Sequence, residues 1–168
     1  MNISSEQKYI DCYLSLTEDL LSHELVDGMK QYHHHKKINT HFHSVYVSYR
    51  VMKTCSLLGV KNMAPIVRAA LLHDFYLYEW YTEKHEEYHI FYHPKQSVKN
   101  IEQYFGKLSK MQRNMILSHM WPTYVERPRY LASWLLTFSD KACAMEDYVH
   151  TSKRFLPVYE EIDRRVHL

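Results

Sequence analysis

Only 3 glycines and 5 prolines interrupt a chain of 168 residues, and between them the apolar residues return every three or four positions. That is the period of a helix with one buried face, not the alternation of a strand. The chain is therefore expected to be all-α. Its length suits one core and leaves little for a second, so a single domain of about six to seven helices is expected.

Capping residues, glycines and prolines place these helices. The first runs from about Ser4, capped by Ser5 or Ser4, to the stop at Asp27 and Gly28. A polar connector, MKQYHHHKKINT, follows. The second helix spans Thr40 to Gly59, and the third, with Pro65 in its first turn, leads up to His73. The aromatic and charged stretch FYLYEWYTEKHEEYHIFYHP has no regular period. A fourth helix is expected to begin at Pro94, where a missing N–H costs nothing, and to end at Gly106. A fifth is capped by Ser109 and stops before Pro122. The last long helix covers about Arg129 to Tyr148, and a short one follows Pro157.

Bulk chemistry narrows the function classes. The net charge of +2 comes from 21 basic and 19 acidic residues that are scattered, which excludes the footprint of a nucleic-acid-polymer binder. Cys12, Cys55 and Cys143 are odd in number and lack a Cys-x-x-Cys spacing, so they read as reduced thiols of a cytoplasmic protein rather than disulfides or a thiolate zinc site. No segment approaches the roughly 20 apolar residues of a membrane helix, and the charged N-terminus is no leader. These numbers leave the oligomeric state open, a homodimer included.

Thirteen histidines are the compositional excess, and histidine is the commonest metal ligand. Polar residues interrupt core-facing helix ends in sequence order: His43 leads the second helix, His73 and Asp74 close the third, His93 precedes the fourth, His119 ends the fifth, and Asp140 breaks the apolar run WLLTFSDKACAM. Several helices of a bundle can aim such side chains at one interior point. Four imidazoles and two carboxylates suit Mn, Fe, Co, Ni or Zn. One ion would take His43, His73, Asp74 and Asp140; a second would share Asp74 and take His93 and His119. Neighbouring helical residues diverge by about 100°, so His73 and Asp74 face one point only if the helix is ending there.

The order H…HD…D, with HSVYVSY around His43, LLHDF around His73 and Asp74, and FSDKACAM around Asp140, resembles the HD-domain superfamily of metal-dependent phosphohydrolases over residues 40–145. HPKQS at His93 and LSHMWP at His119 resemble its two-metal branch, and the whole order is similar to that of small single-domain bacterial HD proteins. The resemblance stops short of the HDIGK lysine of cyclic-dinucleotide phosphodiesterases, since Phe75, Tyr76 and Leu77 follow Asp74. It also lacks the ED pair of guanosine-tetraphosphate hydrolases. It implies a metal-activated hydroxide, with Asp74 as the bridging catalytic carboxylate, attacking a small phosphomonoester, nucleotide or phosphodiester. Members of the same superfamily that use the six ligands as a di-iron oxygenase, and a non-catalytic metal-binding module, are the alternatives.

Charge on a phosphoryl group needs further cations, and Lys95, Lys141 and Arg50 lie next to ligands in sequence. Lys95 is preferred because it opens a helix whose N-terminus favours anions. Arg50 follows His43 by two turns on one face. Tyr76, Tyr78 and Trp80 are expected to pack or line the pocket. The cluster His33 to His35 reads as a solvated loop, His41 points away from His43, His85 and His89 lie near the site mouth, and His23, His150 and His167 look exposed.

Overall fold

The computed structural model describes residues 3–35, 38–149 and 151–168. Among them are eight α-helices, one more than the six to seven expected, and one antiparallel pair of short strands, so the all-α expectation holds. The helices are α1 (Ile3–Leu21), α2 (Glu24–Asp27), α3 (Thr40–Leu57), α4 (Ala64–Leu71), α5 (His89–Tyr104), α6 (Lys110–Ser118), α7 (Leu131–Tyr148) and α8 (Leu156–Val166). None among the described residues is long and apolar enough to cross a membrane.

The centre of the bundle is α3. It packs against α4 on one side and α7 on another, and α7 in turn packs against α6. Burial on most of its circumference explains why its sequence shows little division into polar and apolar faces. Asn39 caps it by accepting from the Phe42 amide at 2.8 Å. Gly59 stands just beyond its end with φ 68°, a left-handed conformation that suits glycine. Ser109 caps α6, and its hydroxyl and the Gln112 side chain satisfy each other's backbone amides in a capping box.

Four expectations need correction. The first helix stops at Leu21, and His23 caps the short α2 by accepting from the Leu25 amide at 3.2 Å, so His23 is half-buried rather than exposed. The polar connector folds: a 3-10 turn (Gly28–Gln31) leads into β1 (His33–His35), which pairs antiparallel with β2 (Ile38–Asn39). The third helix ends two residues before His73, at Leu71. Finally, α5 begins at His89, five residues before Pro94. Near a helix start the proline deletes a single bond to the preceding turn while its fixed φ suits the helix. Ser4 and Ser5 lie within α1, but their side chains, that of His35, and His150 as a whole fall outside the described residues.

Candidate metal centre

The six expected ligands arrive on five structural devices. His43 sits in the first turn of α3, His93 in α5, His119 caps the C-terminus of α6, and Asp140 lies mid-way along α7. His73 and Asp74 stand in the turn that ends α4, where His73 N–H reaches Ala70 O at 3.5 Å and Phe75 N–H reaches Leu72 O at 3.1 Å. This tight winding lets two adjacent side chains face one point. Beyond it, Asn100 donates its side-chain amide to the carbonyls of Phe75 and Tyr76, both at 2.9 Å, and Leu77 turns the chain with φ 58°.

The structure brings all six together, and all six are buried. His43 Nε2 lies 3.0 Å from Asp140 Oδ1, which is 3.7 Å from His73 Nε2. His73 Nε2 is 3.4 Å from Asp74 Oδ2. The other oxygen, Asp74 Oδ1, is 3.4 Å from His93 Nε2 and 3.7 Å from His119 Nε2, and those two nitrogens are 2.9 Å apart. His43, His73 and Asp140 form one buried group able to hold a metal ion, and His73, Asp74 and His119 form an adjoining one. Donors about 2.1 Å from a shared ion are separated by roughly 3 Å, the spacing observed. The two carboxylate oxygens of Asp74 face the two groups in turn.

Hydrogen bonds on the far side of each ring fix the tautomers. His73 Nδ1 donates to Ala70 O at 2.8 Å, His93 Nδ1 to His89 O at 2.8 Å, and His119 Nδ1 to Ile116 O at 2.6 Å. A carbonyl only accepts, so each Nδ1 carries a proton and each ring, when neutral, presents its Nε2 lone pair to the centre. Burial opposes charging of His73, but the adjacent Asp74 and Asp140 outweigh it and raise its pKa. Burial, with neighbouring imidazoles adding to it, holds the pKa of His119 down at about 3; burial also outweighs the attraction of Asp74 and holds His93 at about 4. Near neutrality both rings are uncharged. Two lone pairs then oppose each other across 2.9 Å with no proton between them, an arrangement that a cation resolves. His73 Nε2 and Asp74 Oδ1 are likewise buried without a hydrogen-bond partner among the described residues.

His43 is electrostatically different from His93 and His119. Burial opposes charging of His43, but Asp140 at Nε2 and Asp147 at Nδ1, each 3.0 Å away, outweigh it and raise its pKa to about 10. Burial likewise opposes ionisation of Asp74 and Asp140, yet the surrounding imidazoles keep both carboxyls well below the usual range.

Two residues of the site were not anticipated. His34, read as part of a solvated loop, is buried; its Nε2 bonds Asp74 Oδ2 at 3.0 Å and its ring stacks on His43 with centroids 3.7 Å apart. Strand alternation explains this: His33 points to solvent and pairs with Glu79 at 2.9 Å, while His34 turns inward. Asp147 is the other, two turns after Asp140 on the same face of α7.

A cavity of about 550 Å³ opens beside the centre. His93, His119, Asp74 and Asp140 form its floor, and Trp80, Tyr88, Ile90 and Met120 contribute apolar wall. Lys141 also lines it; its Nζ donates to His119 O at 3.0 Å, and burial lowers its pKa. The other two expected cations are elsewhere. Lys95 is exposed, pairs with Glu87 at 2.8 Å and, because α5 starts at His89, does not open a helix. Arg50 pairs with Glu146 and lines a separate cleft with Tyr46 and Lys53. Two turns of helix carried it about 10 Å along the axis from His43.

Of the other polar and aromatic expectations, His41 points away and bonds the Tyr159 hydroxyl at 2.8 Å. His167 is exposed. His89 stacks between Trp80 and His93, at 4.8 and 4.6 Å, and His85 stacks on Tyr92 at 4.2 Å. Tyr76 and Tyr78 are buried, with the Tyr76 hydroxyl bonded to Thr40 at 2.9 Å, and Trp80 donates to His33 O at 3.0 Å.

Comparison with protein-family models, curated proteins and solved structures gives no match.

Proposed function

We propose that this chain is a metal-dependent phosphohydrolase of the HD type with a binuclear centre, acting on a small phosphomonoester, nucleotide or phosphodiester. The observation that carries the reading is the 2.9 Å approach of His93 Nε2 to His119 Nε2, both aimed at an Asp74 oxygen that has no hydrogen-bond partner among the described residues. His43, His73, Asp74 and Asp140 would hold one divalent ion, and Asp74, His93 and His119 the other. Nitrogen and carboxylate donors without thiolates suit Mn, Fe, Co, Ni or Zn. When bound, such ions lower the pKa of a coordinated water and polarise phosphoryl oxygens.

The chain's own residues supply the rest. Lys141, held over the cavity by the carbonyl of His119, is placed to bind phosphoryl oxygens that face away from the ligands. The apolar walls exclude bulk water, which strengthens that attraction. At about 550 Å³ the cavity accepts a small molecule but not a folded polymer. Three free cysteines fit a reducing, cytoplasmic setting.

The test is metal analysis of protein purified without added metal, then a panel of phosphomonoesters, nucleotides and diesters with each of the five ions, run beside an oxygen-uptake assay. Bound metal and ester turnover are expected. Absence of ester hydrolysis with every ion would overturn the proposal; oxygen uptake in its place would assign the di-iron oxygenase, and neither activity a binding module.

A further inference from the structure

The site uses only the inward half of α7, and a row of exposed apolar side chains runs along the outward half. Leu131, Phe138 and Met145 recur every seven residues and are 64%, 62% and 67% exposed. A seven-residue step returns to within about 20° of the same face, so the three form one stripe. Trp134 lies between the first two and Val149 extends the line past the helix end. On α7 the acid beside Met145, Glu146, is paired with Arg50, the base between Phe138 and Met145, Lys141, lines the cavity, and Arg129 before the helix is paired with Glu126. A row of large apolar side chains this exposed, on a helix whose other face is already buried, calls for a second cover.

We propose that this stripe is the seam of a two-fold homodimer in which α7 of one copy packs along α7 of the other, with Phe138 at the axis. Three observations favour a second copy over another partner. The stripe carries no free charge with which to choose a partner of opposite sign. Its heptad spacing lets it interdigitate with its own image, and Phe138, midway between Leu131 and Met145, meets itself across a two-fold axis. Its area is also right: these side chains expose on the order of 500 Å², and with a polar rim that approaches the roughly 800 Å² per partner of a standard interface. The aromatic part is already ordered, since Trp134 stacks on Phe138 at 5.5 Å and meets Trp121 edge-on at 5.2 Å. Rigid aromatic anchors of this kind dominate interface energies. The inference is independent of the metal reading.

Analytical ultracentrifugation of the full chain tests it. At about 100 µM, well above a micromolar Kd, the species expected has twice the 20.4 kDa of the chain. Phe138→Glu and Met145→Glu, both at exposed positions, should each give monomers with unchanged helical circular dichroism. Phe138→Cys should form an intermolecular disulfide on mild oxidation that the unsubstituted chain does not. A monomeric unsubstituted chain, whether inert or floating with anionic vesicles, would overturn the proposal. So would glutamate variants that remain dimers, or a Phe138→Cys chain that does not cross-link.

Discussion

Asp147 holds Nδ1 of His43 at 3.0 Å across 104 residues of sequence, the longest reach of any contact that orients a candidate ligand. The other three imidazoles are oriented by carbonyls three or four residues away. A carboxylate behind a ligating imidazole fixes its rotation and raises its basicity. Asp147→Asn should therefore weaken metal affinity by about 10- to 100-fold while leaving the helical content intact. Competition with a fluorescent chelator measures this.

Asp74 turns one carboxylate oxygen toward His73 and the other toward His93 and His119. A metal at a hundred-fold excess over its Kd stabilises by about 2.7 kcal/mol, which for a chain of this size raises Tm by roughly 5 to 10 °C. Added metal should produce that shift in the unsubstituted chain. Asp74→Ala should show no bound metal by elemental analysis and no shift.

Lys141 should separate binding of metal from use of it. Its amine reaches the cavity but is not among the donors. Lys141→Met should keep full metal content and lower phosphate-ester kcat by about 10²-fold, with Lys141→Arg recovering part of the loss.

The metal-free protein should lose stability in acid before its carboxylates titrate. Three buried imidazoles, His41, His93 and His119, have pKa values lowered to about 4, 4 and 3, all with burial as the leading cause. Between an unfolded value near 6.5 and about 4 the unfolded chain binds more protons than the folded one, so stability falls as pH falls. His43 and His73 have the opposite sign, but their raised pKa values, about 10 for His43, put their effects above pH 6.5, where rising pH removes them. Urea denaturation of the EDTA-treated chain from pH 7 to pH 4 should show a declining midpoint. Added metal should raise the midpoint wherever it stays bound without removing the decline, because the protons that drive it are taken up by the unfolded chain.

Asn100 ties α5 to the stretch after Asp74. Its amide satisfies two buried carbonyls, those of Phe75 and Tyr76, so Asn100→Ala should cost about 2 kcal/mol in chemical denaturation.

The helices were legible because their signals are local. The capping box of Ser109 and Gln112 and the left-handed stop at Gly59 need no partner from elsewhere in the chain, and the runs they bound came out within a few residues, whereas the end of the first helix and the start of α5 lay five or six residues from their expected places. The convergence of His43, His73, Asp74, His93, His119 and Asp140 was legible for a related reason: each is a polar residue at a position the helical period assigns to the core. His34 was not legible, because its burial depends on a hairpin whose pairing sets the inward face, and a run of histidines beside two lysines has no period of its own. Asp147 carried a readable signal, the two-turn step from Asp140. Lys95 and Arg50 failed differently. Sequence adjacency to a ligand does not fix direction, and Arg50 shares a face with His43 while lying two turns along the axis, beside Glu146 rather than the cavity.

One feature of α7 bears on how the centre comes into being. Asp140 and Asp147 flank His43 from the same helix, one at each ring nitrogen. Every other ligand belongs to the stretch between residues 40 and 120, where partners are comparatively near in sequence. The pocket of donors is thus a lock whose last tumbler is set from the far end of the chain: until α7 settles against α3, His43 has neither its metal-side nor its back-side carboxylate. Metal uptake then serves as a readout of long-range docking, and a fragment ending before Leu131 would keep four imidazoles and one carboxylate yet lack the closed centre.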